Sequence, residues 1–320
     1  MKNQQPALAS DEDNYKINIA FIGTSSFGLP ALRWLSKELK GLIVITQPDR
    51  PTGRKQTLEA SPIKKYALSQ GLDFFQPEDI NSQETVAKIK QLKLDLIIVV
   101  AYGQIFKKAV LDIPRFGCLN LHGSLLPKYR GASPVQAAIL NEDKTSGVTI
   151  IKMDAGLDTG KIVAQTKIKI QSDEMAAGLH DRLADLVGKL LIKILPSYLA
   201  GEIKLLAQDN SLATYTKKIT RADGQIFPSR MTAGEILRRW RAYHPWPGIW
   251  LEDKKFGRVK LLEIKKCPEV SGSAVGSLSD LLVRDGSGLY LSCSDACLEV
   301  NKHQVAGRSP VSASIFLINS

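Results

Sequence analysis

What most limits the fold of this chain is a rhythm in its first half, where short apolar runs alternate with helical segments. Residues 16–23 (KINIAFIG), 41–46 (GLIVIT) and 94–101 (LDLIIVVA) are brief, β-branched and apolar, the pattern of strands buried on both faces of a parallel sheet. Between them, residues 29–39, 62–70 and 83–92 repeat their apolar positions at helical spacing. Such alternation folds as an open, mostly parallel α/β sheet with right-handed crossovers. Ligands of such sheets gather at the carboxyl ends of the strands. Two further strand candidates, 147–153 and 161–170, flank a glycine-rich turn. Leu179, Leu183, Leu186, Leu190 and Ile194 then mark one long helix, which Gly201 ends.

The text changes after about residue 206. Residues 209–221 are polar, residues 233–242 have helical spacing, and strand-like runs follow at 258–264, 281–284, 289–292 and 298–301. Short strands separated by Gly and Ser suggest a small β-barrel. The expected organisation is a polar extension (1–16), an α/β catalytic domain (17–205), a linker (206–220) and a β domain (221–320).

No apolar run approaches the roughly 20 residues of a membrane helix. The start carries Asp11, Glu12 and Asp13, unlike a secretory signal or a mitochondrial presequence. Cys118, Cys267, Cys293 and Cys297 are too few and scattered for a disulfide framework, and no second pair completes a zinc site. Free thiols in a reducing compartment are expected. A net charge of +11 and a pI near 9.4 favour a polyanionic partner.

Candidate chemistry lies in residues 117–130, GCLNLHGSLLPKYR. Side chains alternate faces in an extended chain, so Asn120 and His122 point the same way. A carboxylate to complete the group is offered by Asp158, in the turn MDAGLDTG at 153–160. Amide, imidazole and carboxylate together suit acyl transfer, where an oxyanion needs donors and an attacking amine must lose a proton. Taken singly, each has a plainer reading, since an isolated histidine is more often a hydrogen-bonded structural residue. Phe21 to Gly28 lacks the third glycine of a dinucleotide fingerprint and reads as a tight first turn. The loop QPDRPTGRKQ at 47–56 places Arg50, Arg54 and Lys55 after the second strand. It is either a solvated surface or a recognition loop on the ligand-facing edge.

With these segments assembled, the chain resembles the methionyl-tRNA formyltransferase family. The resemblance is carried by Phe21-Ile22-Gly23-Thr24, residues 46–51 with Gly53-Arg54, residues 99–103, Asn120 to Gly131, Met153-Asp154 with residues 156–160, and Pro245-Trp246-Pro247. It implies a Rossmann-like formyltransferase fold followed by an OB-like barrel. It also implies a formyl donor, 10-formyltetrahydrofolate, near Ser124, Leu125, Leu126 and Pro127, and methionyl initiator tRNA as acceptor. Arg50, Arg54 and Lys55 would face the tRNA. Asn120 and His122 would donate to the oxyanion, with Asp158 holding the imidazole. The expected enzyme is a cytoplasmic, bacterial-type monomer, and no metal is needed because the folate nitrogen already activates the formyl group. Two segments depart from the family pattern: residues 53–59 are poor in lysine, and 225–228 read QIFP instead of an acidic residue followed by Trp.

Three rival readings share some of these features. A formyl transferase with a small amine acceptor, or a hydrolase of the donor, would keep the same three residues; an RNA-binding protein would need none of them. From Tyr215 onward 16 basic residues outnumber 10 acidic ones, giving +6 of the +11, which favours tRNA and predicts salt-sensitive binding.

Overall fold

The computed structural model describes residues 17–52, 56–254, 256–267, 282–285 and 288–313. The expected extension 1–16, and Arg54 and Lys55, lie outside the described residues. The chain divides into two compact units, the first taking residues up to 134 with 145–169 and 180–216, the second taking 135–144, 170–179 and the chain from 217.

Strands of the first unit are, in chain order, β1 (Ile19–Gly23), β2 (Ile43–Ile45), β3 (Arg50–Thr52), β4 (Thr57–Glu59), β5 (Phe74–Phe75), β6 (Leu96–Val100), β7 (Cys118–His122), β8 (Arg130–Gly131), β9 (Thr145–Lys152), β10 (Lys161–Lys169) and β11 (Tyr215–Thr216). The main sheet has the order β10-β9-β7-β6-β1-β2-β5. Its members from β7 to β5 run parallel. β9 and β10 are antiparallel, because the short turn at 153–160 can only reverse the chain between neighbours. Every residue of β1 and β6 is buried, so both strands are apolar on both faces, as interior parallel strands must be.

Helices α1 (Leu29–Glu38), α2 (Pro62–Ser69) and α3 (Gln83–Gln91) fall where the spacing predicts; α4 (Lys108–Leu111), α5 (Pro134–Leu140) and α6 (Ala176–Leu199) follow. Ser61 and Ser82 start α2 and α3 by accepting from the backbone of Lys64 and Thr85, and Pro62 presets the first helical φ. Gly201, at φ +75°, follows the end of α6.

The segment 206–220, expected as a linker, is largely woven into the first unit. Leu206 bridges Ile162, β11 pairs with β8, and the Arg130 N–H donates to the Thr214 carbonyl at 2.8 Å. The backbone donors of Tyr129 and Arg130 need partners, and Thr214 of this segment supplies both, through its hydroxyl and its carbonyl.

In the second unit, α7 (Ala233–Tyr243) opens with a capping box between Thr232 and Glu235. An antiparallel sheet contains β12 (Ile249–Asp253), β13 (Gly257–Lys266), β14 (Leu282–Asp285), β15 (Gly288–Ser292), β16 (Cys297–Val305) and β17 (Val311–Ser312). Its order is β12-β13-β16-β15-β14, with β17 on β16. The expectation of free thiols is corrected here. The β13–β16 register sets Lys266 opposite Leu298, and the adjoining Cys267 and Cys297, with Cα atoms 5.8 Å apart, form a disulfide. Cys118 and Cys293 are buried thiols, each pushed up to about 12 by loss of water. Among the described residues no helix is long and apolar enough to cross a membrane.

Candidate active site

β7 lies between β6 and β9, and its last turn of the pleat presents Asn120 and His122 on one face at the strand's carboxyl end. Asp158 reaches them from the β9–β10 turn. Asn120 Nδ2 donates to Asp158 Oδ1 at 3.0 Å. Asp158 Oδ2 accepts from the Gly131 N–H at 2.8 Å and lies 3.6 Å from His122 Nδ1, an ion-pair separation too long for a hydrogen bond. The three residues expected from sequence therefore converge, with the His122 side chain 6% and the Asp158 side chain 12% exposed.

The other ring nitrogen of His122, Nε2, is 2.9 Å from the Tyr129 carbonyl. A carbonyl oxygen only accepts, so Nε2 carries a hydrogen. A neutral imidazole then presents its lone pair at Nδ1, on the Asp158 side.

The turn that carries Asp158 is built tightly. Asp154 Oδ1 accepts from the Gly156 N–H at 3.0 Å and from Thr159 Oγ1 at 2.5 Å. A Cβ at Gly160 would sit 2.0 Å from the Lys152 carbonyl oxygen, so only glycine allows the approach. Asp158 itself adopts φ +54°, uncommon for a residue with a side chain.

The Ser124–Pro127 loop, with a cis peptide between Leu126 and Pro127, is fixed by residues that sequence reasoning missed. Thr149 Oγ1 donates to the Ser124 carbonyl at 2.6 Å and accepts from the Leu126 N–H at 3.1 Å. Gln165 Nε2 donates to the Leu126 carbonyl at 2.9 Å and to Thr149 Oγ1 at 2.8 Å. Ser124 Oγ closes the loop on the Lys128 carbonyl at 2.6 Å. Thr149 and Gln165 read as ordinary strand residues, with nothing local to mark them.

Arg50 sits on the separate hairpin of β3 and β4, exposed and 3.7 Å from Glu78. The base of that hairpin is anchored through Asp49, which accepts from Lys64 Nζ at 2.6 Å and Gln76 Nε2 at 2.9 Å. These two bonds, the Lys64 bond first, hold the Asp49 carboxyl below its usual range. Among the described residues no group of three or more His, Cys, Asp or Glu side chains is placed to hold a metal ion.

An amide and an imidazole gathered by one carboxylate at the end of a central strand, in an α/β unit followed by an antiparallel β unit, form the kind of site an acyl-group transferase uses. Residues 17–195 match the model of the formyl transferase family, and residues 218–320 that of the formyl transferase C-terminal domain. The chain is 41% identical over 303 residues to a methionyl-tRNA formyltransferase of Methylacidiphilum infernorum, with 94% of each covered. It is 38% identical over 302 residues to one of Legionella pneumophila, covering 94% and 95%. Its fold is similar to that of an N-formyltransferase from Helicobacter canadensis solved with folinic acid and dTDP-3-aminofucose, at TM-score 0.65 and 20% identity over 89% and 98% of the two chains. The chain belongs to the formyl transferase family and is a transferase.

Proposed function

We propose that the chain transfers a formyl group from 10-formyltetrahydrofolate to the α-amine of methionyl initiator tRNA, giving N-formylmethionyl-tRNA. The observation that carries the choice of acceptor is identity of 41% spread over 94% of both this chain and a relative named for that reaction, spanning both units.

The chemistry follows from what each side chain can do. The neutral amine attacks the formyl carbon, and the carbonyl oxygen becomes an oxyanion. Asn120 Nδ2 uses one hydrogen on Asp158 and offers its second to the oxyanion. His122, expected as a protonated donor to the oxyanion, spends its Nε2 hydrogen on the Tyr129 carbonyl, so in its neutral form it has no hydrogen left for the oxyanion. Its Nδ1 lone pair instead takes the proton that the amine loses, and Asp158 beside Nδ1 stabilises the resulting imidazolium. The same proton then passes to the folate nitrogen as its bond to the formyl carbon breaks, which balances the reaction. The rigid Ser124–Pro127 loop holds the donor in register, a large part of the rate advantage when two reactants must meet. The loop bearing Arg50, Arg54 and Lys55 contacts the tRNA, and the enzyme acts as a cytoplasmic monomer without a metal.

The test is incubation with 10-formyltetrahydrofolate and methionyl initiator tRNA beside a deacylated control. Formylmethionine is expected only on the charged tRNA. Asn120→Ala and His122→Ala should each lower the rate at least about 100-fold. Full activity of either folded variant removes the assignment. Donor turnover without formylated tRNA replaces the acceptor with a small amine or with water.

A further inference from the structure

Arg130 is only 1% exposed, and its guanidinium meets neutral acceptors. Nε and Nη2 donate to Gln208 Oε1 at 3.2 and 2.8 Å, Nη2 also to Asn210 Oδ1 at 2.8 Å, and Nη1 to Tyr215 Oη at 3.3 Å. All four of these acceptor contacts are to uncharged oxygens. Burying a cation without an anion is costly, and one bond further on lies what this one holds. Gln208 Nε2 donates to the Asp158 carbonyl at 2.8 Å and to the Gly160 carbonyl at 2.7 Å.

A guanidinium has donors alone, so Gln208 must turn its oxygen to Arg130 and its NH2 to the Asp158 turn. Arg130 thereby sets the orientation of an amide that grips the turn at two points. The turn needs gripping, since Asp158 is held at φ +54°, and such a backbone persists only where its surroundings over-determine it.

We propose that Arg130 and Gln208 are positioning residues, a clamp that keeps the Asp158 carboxylate against Asn120 and His122. The proposal rests on the formyl-transfer reading of that site.

Two variants separate positioning from mere support. Gln208→Glu still faces Arg130 with an oxygen but turns a second oxygen toward two carbonyls. Gln208→Met loses both faces. The clamp predicts that kcat falls about 100-fold in both, the effect of misplacing a catalytic group by roughly 1 Å. KM for 10-formyltetrahydrofolate should hold, and the thermal midpoint should drop in Gln208→Met alone. A parental kcat in folded Gln208→Glu overturns the proposal, as do kcat losses that simply follow the thermal midpoints. Hydrogen exchange across residues 153–160 gives a readout independent of the acceptor. It should quicken in both variants, and unchanged exchange overturns the clamp even if another amine proves to be the substrate. A parent enzyme that leaves methionyl-tRNA unformylated refutes the functional reading alone.

Discussion

Gly131→Ala tests how the carboxylate is held. Gly131 has φ +107°, and its N–H donates to Asp158 Oδ2 at 2.8 Å. A Cβ there would lie 2.3 Å from the Thr216 carbonyl oxygen and 3.2 Å from Thr216 Oγ1. The carbonyl belongs to the paired strands β8 and β11 and cannot swing aside as a side chain could. Ordinary contact begins near 3.4 Å, so the segment must retreat by about 1 Å, a displacement that costs on the order of 100-fold in rate when it reaches a catalytic group. Positive φ adds about 1–3 kcal/mol of backbone strain. With the charged hydrogen bond to Asp158 weakened, destabilisation of about 2–4 kcal/mol is expected. The assay pairs thermal unfolding with formyl transfer at saturating substrates, measured where the variant is fully folded. Gly178→Ala is the control, since beyond its chain neighbours and its own helix backbone nothing lies within 4 Å of a Cβ there and a helical alanine gains up to about 1 kcal/mol over glycine. A Gly131→Ala enzyme with parental stability and rate would refute the view that this N–H and its close approach to Thr216 set the position of Asp158.

Two other perturbations reach different parts of the molecule. Thr149→Val leaves the buried Leu126 N–H without its acceptor, which should destabilise the protein by about 1–3 kcal/mol and raise KM for the formyl donor more than it lowers kcat; steady-state kinetics with thermal melts decide. Asp223, hydrogen-bonded first to Lys217 and then to Thr220, is pulled down to about 2 from 3.8. Its folded value lies below its unfolded one, so its contribution is complete above pH 3.8 and is lost as pH falls through about 2. The effect should be small because Lys217 is exposed and its charge screened. Asp223→Asn should flatten the thermal midpoint over that range, and an unchanged acid slope would contradict the pairing.

What could be read from the sequence was whatever a local pattern encodes. β1 and β6 announce themselves because strands buried on both faces must be apolar throughout. Asn120 and His122 share a face because of the two-residue period of β7, and Asp158 stands out among glycines that only a tight turn requires. The disulfide had no such local sign, since Cys267 and Cys297 meet only once β13 has paired with β16 across 30 residues. Gln208 is likewise an ordinary residue until it meets Arg130, 78 positions earlier in the chain. The stretch from Asn120 to Gly131 shows why the two kinds of information diverge. As sequence it is one motif, but in space it is a strand end followed by a loop that returns to its start. The same carboxylate accepts from Asn120 at one end and from Gly131 at the other. The loop must therefore leave β7, form the Ser124–Pro127 bend, and come back with a glycine N–H within reach of Asp158. β8 then receives β11 as its partner, and β11 follows directly on the 208–214 segment that carries Gln208. Closing the loop on Asp158 and recruiting the segment 206–216 are thus one structural event, which is why a stretch that reads as polar linker ends up holding the active-site turn.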